Sequence, residues 1–125
     1  MLDHVSLGVS DLKRSSVFYD AALGALGVVR VWTKETAVGY GLPGGEDRLA
    51  LFATEGVRPA AGSHLAFTAT SERHVRAFHE AAIASGGTDD GSPGLRPHYG
   101  PGYLAAFVKD PDGHRLECVF HGGMV

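Results

Sequence analysis

Cysteine is nearly missing from this chain. Cys118 is the only one in 125 residues, so no internal disulfide can form and a reducing compartment, the cytoplasm, is expected. No apolar run approaches the roughly 20 residues that cross a bilayer, so no membrane association is expected. The opening Met1-Leu2-Asp3-His4 has neither the basic nor the apolar region of a secretory leader. Positive charge is also short. Eleven Lys and Arg stand against fourteen Asp and Glu, for a net charge of −3. Without a basic stripe, no nucleic-acid partner is expected. Charged residues at 20% and hydrophobic residues at 44% exclude a disordered chain. The length suits one domain over 1–125.

Glycine and histidine are plentiful. Eighteen glycines without a Gly-X-Y period imply tight turns and bulges. Seven histidines matter because imidazole titrates near neutrality and ligates metals.

The chain repeats itself at an offset of 60 residues. His4-Val5-Ser6-Leu7-Gly8-Val9-Ser10-Asp11 aligns with His64-Leu65-Ala66-Phe67-Thr68-Ala69-Thr70-Ser71. The register continues through Phe18/Phe78, Asp20/Glu80, Ala21/Ala81, Ala22/Ala82, Leu23/Ile83 and Gly27/Gly87. Each copy opens with an alternating strand: Val5, Leu7 and Val9 face one side, His4, Ser6 and Gly8 the other. A helix follows, capped by Asp11 or Ser71. Its expected core stripe is Leu12, Val17, Phe18, Ala22 and Leu26 in the first copy, and Val75, Phe78, Ala82 and Ile83 in the second. Strand-like runs come next, at 28–33, 36–42 and 48–53, then weakly at 95–98, and at 103–109 and 114–120. Asp110-Pro111-Asp112-Gly113 is a turn between the last two. Each half thus reads β-α-β-β-β: module one 1–54, a connector 55–63, and module two 64–121. The segment 86–94 is expected to be irregular, and the glycine- and proline-rich stretch 86–102 to border a functional cavity.

The repeat extends to the final strand of each half, where Asp47-Arg48-Leu49-Ala50-Leu51 parallels His114-Arg115-Leu116-Glu117-Cys118. Ala50 occupies the place of Glu117. Glu117 alternates away from the apolar Leu116, Cys118 and Phe120. If the sheet curls, its helix-free face becomes a cavity lined by His4, His64 and Glu117. Two imidazoles and a carboxylate suit one divalent ion, Zn²⁺, Ni²⁺, Mn²⁺ or Fe²⁺, with positions left for substrate. An ion pair of Glu117 with Arg115 or Arg48 is the competing reading. Arg96, His98, Trp32 and Tyr40 are candidate substrate contacts, Trp32 and Tyr40 having sheet packing as their alternative. Tyr99 and Tyr103 lie on the long loop and the strand after it. His74, His79 and His114 read as surface residues, His121 as part of the tail, and Cys118 as packed beneath a helix.

Three stretches carry a resemblance to a known family. They are Leu2-Asp3-His4-Val5-Ser6-Leu7 with Val9-Ser10-Asp11-Leu12 and Phe18-Tyr19; His64-Leu65-Ala66-Phe67; and Ala106 through Glu117. Together they resemble the vicinal oxygen chelate superfamily: glyoxalase I, type I extradiol dioxygenases, fosfomycin-resistance thiol transferases and bleomycin-binding proteins. The resemblance implies an α+β fold of two βαβββ modules forming an open curved barrel with helices outside. It implies metal ligands on the first and last strand of each module, which His4, His64 and Glu117 match. The fourth ligand, a Glu in glyoxalase I, falls at or near Ala50 and is absent, which speaks against typical glyoxalase I activity. The potassium-binding loop of the thiol transferases is not evident in 86–102. The implied function is a metal-dependent enzyme acting on a small molecule with vicinal oxygens, as a lyase, dioxygenase or thiol transferase. Tyr99 or Tyr103 would orient substrate or move protons. The other implied function is a metal-free drug- or metabolite-binding protein. A homodimer with paired or exchanged modules is also implied.

Overall fold

The computed structural model describes residues 1–124. Strand β1 (Val5–Val9) leads into helix α1 (Leu12–Gly24), and β2 (Val29–Thr33), β3 (Ala37–Gly41) and β4 (Leu49–Ala53) follow. The second half repeats the order with β5 (Leu65–Thr68), α2 (Glu72–Ala84), β6 (Thr88–Leu95), β7 (Leu104–Lys109) and β8 (Arg115–Phe120). Each half makes its own four-stranded mixed sheet, ordered β1-β4-β3-β2 and β5-β8-β7-β6. In both, the first strand runs parallel to the last and the others are antiparallel. This is the expected α+β fold of two βαβββ modules, and the sheets stay open.

The helices begin where their caps dictate. Asp11 accepts from the Arg14 amide and Ser71 from the His74 amide, each satisfying a donor the first turn leaves free. The two helices pack against each other. One buried cluster draws from both modules, with Phe18, Leu23 and Leu51 on one side and Val75, Phe78, Val108 and Leu116 on the other. Val17 and Ile83 fall outside it, 56% and 39% exposed. Ser15, Tyr19 and Leu23 turn inward on α1 instead. A polar ring can be buried at Tyr19 because its hydroxyl donates to the buried Asp110 at 2.6 Å.

The Asp110-Pro111-Asp112-Gly113 turn braces one module to the other. Asp112 accepts from the Ser10 amide and hydroxyl. His114 is half-buried rather than at the surface, its Nε2 donating to the Gly8 carbonyl at 2.8 Å. Segment 86–94 is also not irregular: most of it is β6, paired antiparallel with β7 through two register shifts around Gly91. Its Gly and Pro residues are tolerated because β6 is an edge strand and bulges absorb them. Of the run 95–98, only Leu95 is strand, and Pro97–Tyr99 form one 3₁₀ turn.

Candidate functional site

The side chain of Tyr40 reaches α1, donating to Asp20 Oδ1 at 2.8 Å, so Gly39 next to it faces away from the helices. Cross-strand register then gives one row across that face of the first sheet: Ser6, Ala50, Gly39 and Trp32. The matching row on the second sheet is Ala66, Glu117, Phe107 and Gly91. Ala50 and Glu117 therefore do occupy equivalent sheet positions. Each row sets one large aromatic beside a glycine on the neighbouring strand. A Cβ on Gly39 would meet the Trp32 indole at 2.3 Å, and one on Gly91 would meet Phe107 at 3.0 Å.

Glu117 is 2% exposed. Its Oε1 lies 3.0 Å from His64 Nε2, and its Oε2 accepts from the Tyr103 hydroxyl. A buried carboxylate demands such partners, and here one is an imidazole and the other a phenol. These groups wall a cavity of about 300 Å³, lined also by Tyr99, Phe107, Asp90 and Arg115. Burial, and then the Glu117 carboxylate, push the Tyr103 phenol up to about 12. At neutral pH it is thus a hydrogen-bond donor to Glu117 and keeps its proton. Neither Arg115 nor Arg48 pairs with Glu117: Arg115 Nε sits 3.4 Å from Asp90, and Arg48 donates to the Asp3 carbonyl at 3.0 Å.

His4 does not line this cavity. It immediately precedes β1 as His64 precedes β5, but its Nδ1 bonds Asp3 Oδ2 at 2.7 Å and its side chain is 54% exposed. That contact holds the Asp3 carboxyl below, and the His4 imidazole above, their ordinary values. Among the described residues, no three His, Cys, Asp or Glu side chains gather into a group that would hold an ion. At this cavity, among the described residues, His64 and Glu117 are the imidazole and carboxylate in contact.

The other nominated residues scatter. Tyr40 is 1% exposed under α1, where burial and the bond to Asp20 raise its phenol pKa. Arg96 is spent inside its own segment, donating to the carbonyls of Gly94 and Ser92 with its guanidinium over Phe107. Trp32 covers Gly39 on the other sheet. His98 is exposed and packs at a tilt against Tyr99, with ring centroids 4.2 Å apart and planes at 42°. Tyr99 packs at a tilt against Tyr103 in turn, and Tyr103 meets His121 edge-on. Phe107 and Asp90 were not nominated from sequence. Phe107 was within reach: a turn over 110–113 sets Lys109 opposite Arg115, hence Phe107 opposite Glu117. Asp90 sits in a bulged edge strand whose register no short motif reveals. Cys118 is buried, its thiol pushed up to about 12 by that burial.

An open pair of βαβββ modules with a His-Glu-Tyr cluster on one inner sheet face defines a structural class. A family model described as the Glyoxalase/Bleomycin resistance protein/Dioxygenase superfamily matches residues 1–118, and the chain belongs to that superfamily. A solved glyoxalase/bleomycin resistance protein from Albidiferax ferrireducens T118 is 35% identical. That match covers 95% of this chain and 97% of the other, at a TM-score of 0.81. A glyoxalase-related enzyme from Fulvimarina pelagi is 26% identical, covering 96% and 87%, at 0.75. A V278E mutant of glyoxalase I from Zea mays is 25% identical, covering 94% of this chain and 45% of that one, at 0.72. No curated protein matches the chain.

Proposed function

We propose that the protein is a metal-dependent enzyme acting on a small molecule with two neighbouring oxygen atoms, by a lyase, dioxygenase or thiol-transfer reaction. The observation that carries this reading is the buried Glu117 carboxylate held against His64 Nε2 on a cavity wall. Imidazole nitrogen and carboxylate oxygen are ligands for Zn²⁺, Ni²⁺, Mn²⁺ or Fe²⁺. A bound ion would supply Lewis acidity to the substrate's paired oxygens. The third donor is His4 of a second copy. In support, His4 and His64 stand at equivalent points of their modules, and β1 and β5 are both free sheet edges. A largely apolar groove of about 620 Å³, lined by Leu23, Leu26, Val28, Leu65 and Phe67, runs between the modules with both histidines on its rim. A homodimer covering that groove pairs the His4–Ala50 half of one copy with the His64–Glu117 half of the other.

In this reading Glu117 supplies charge and His64 a neutral nitrogen. Tyr103 fixes the carboxylate by donating to it, and Tyr99, Phe107 and Tyr103 give substrate an aromatic wall. Ala50 contributes no donor, which leaves room for substrate oxygens and sets the site apart from a four-ligand glyoxalase I. Both Glu117 oxygens already have protein partners, which favours a second reading, metal-free binding of a small molecule in the same cavity. Elemental analysis of protein purified without a histidine tag separates the two. About one equivalent of a divalent metal per chain, lost in Glu117→Gln, supports the enzyme. Metal-free wild type that also takes up none of the four ions by calorimetry supports the binding protein.

A further inference from the structure

The two module histidines are held differently. His64 turns Nε2 toward Glu117. His4 commits Nδ1 to Asp3 Oδ2 at 2.7 Å, and Asp3 is itself tied down by Arg48, whose Nη1 donates to its carbonyl at 3.0 Å and lies 3.6 Å from its Oδ1. The position equivalent to Asp3 in module two is Ser63, so this carboxylate belongs to module one alone. A carboxylate oxygen only accepts, so in the neutral imidazole the proton must sit on Nδ1. Nε2 is then the bare lone pair, whereas in His64 the same ring atom donates to Glu117 at 3.0 Å. An imidazole whose second nitrogen donates to a carboxylate is fixed in tautomer and ring orientation and is a better ligand.

We propose that Asp3, anchored by Arg48, is a positioning residue that sets His4 with Nε2 free to ligate. The inference rests on the reading of His4 as the third donor. It adds that module one's ligand is set before any ion arrives, whereas His64 takes its orientation from Glu117 itself.

Nitrogen-15 imidazole spectra of the metal-free protein, at a pH where His4 is neutral and with His4 assigned by its loss in His4→Gln, read the tautomer directly. The wild type shows His4 protonated on Nδ1. Asp3→Asn, whose amide oxygen still accepts, keeps that form, and Asp3→Ala reverts to the Nε2-protonated form ordinary for free imidazole. Calorimetry with Zn²⁺ and Ni²⁺ shows Asp3→Ala binding roughly 10–100-fold more weakly than wild type. In the His4→Gln background, Asp3→Ala changes nothing further. A wild-type His4 protonated on Nε2, or Asp3→Ala binding as tightly as a metal-binding wild type, overturns the inference alone. A wild type that binds neither ion overturns the metal reading, and the inference with it.

Discussion

Replacing Asp110 with Ala removes the acceptor on which both modules converge. Asp110 is 3% exposed and accepts three hydrogen bonds, from the Tyr19 hydroxyl at 2.6 Å and from the amides of Asp112 and His114 at 2.9 Å each. Tyr19 is 0% exposed, so its hydroxyl finds no water once the carboxylate is gone. A buried donor left unpaired costs about 1–3 kcal/mol. The two turn amides belong to half-buried residues that water reaches in part, adding roughly 1 kcal/mol between them. The expected loss is about 2–4 kcal/mol, a large share of the roughly 5–15 kcal/mol that holds a typical domain together. Urea denaturation followed by circular dichroism measures it as a fall in midpoint at unchanged slope. Tyr19→Phe is the control: alone it loses a charge-assisted bond and costs about 1.5–3 kcal/mol, but in the Asp110→Ala background it removes the stranded hydroxyl and is neutral or stabilising. A loss below about 1 kcal/mol for Asp110→Ala, or Tyr19→Phe equally costly in both backgrounds, would refute the reasoning.

Alkaline pH should destabilise the fold through its buried phenols. Burial, reinforced by Asp110 and Asp20, holds the Tyr19 and Tyr40 protons well above the ordinary value of 10.0. An acid with a raised folded pKa contributes stability that is whole below the unfolded value and is lost as pH rises toward the folded one. Stability should therefore fall above about pH 10 by about 1.4 kcal/mol per pH unit for each phenol, and Tyr19→Phe should flatten that slope in denaturation series across pH. Gly39→Ala drives a methyl into the Trp32 indole and should cost about 1–3 kcal/mol, with part recovered in Gly39→Ala/Trp32→Ala; equal stability of Gly39→Ala and wild type would refute the contact. Arg96→Ala should release the Ser92 and Gly94 carbonyls and speed amide exchange in β6 and the 3₁₀ turn, leaving α2 unchanged.

The repeat was legible because it is written in features that survive divergence: alternation, a capping side chain, helix length. Asp11 and Ser71 open helices that both run thirteen residues, at the offset seen in the sequence. The equivalence of Ala50 and Glu117 was legible for the same reason, since parallel pairing with the first strand fixes the final strand's register. Edge strand β6 was not, because an edge needs only one partner and tolerates the Gly and Pro residues that read as loop. Tyr19 and His114 were misjudged or passed over because their partners, Asp110 and the Gly8 carbonyl, lie some 90–106 residues away in sequence. Arg96 looked free to contact substrate because carbonyl acceptors from its own segment leave no trace in residue types. His64 and Glu117 came together as their strands required; His4 sits where its strand puts it, on the opposite module.

The turn at 110–113 also bears on the order in which the chain acquires structure. Synthesis delivers β1 and α1 first, yet Ser10, Tyr19 and the Gly8 carbonyl find their partners in Asp112, Asp110 and His114. Until those residues leave the ribosome, the first helix carries a buried-type tyrosine whose hydroxyl has no acceptor and an apolar stripe with no second module beneath it. Such long-range closure slows folding and leaves module one exposed while it waits. A nascent chain stalled before residue 110 should remain open to proteases and chaperones along α1, and one released just past β8 should snap shut as a unit. The turn between β7 and β8 thus acts as the latch for α1, whose buried partners come from the other half of the chain.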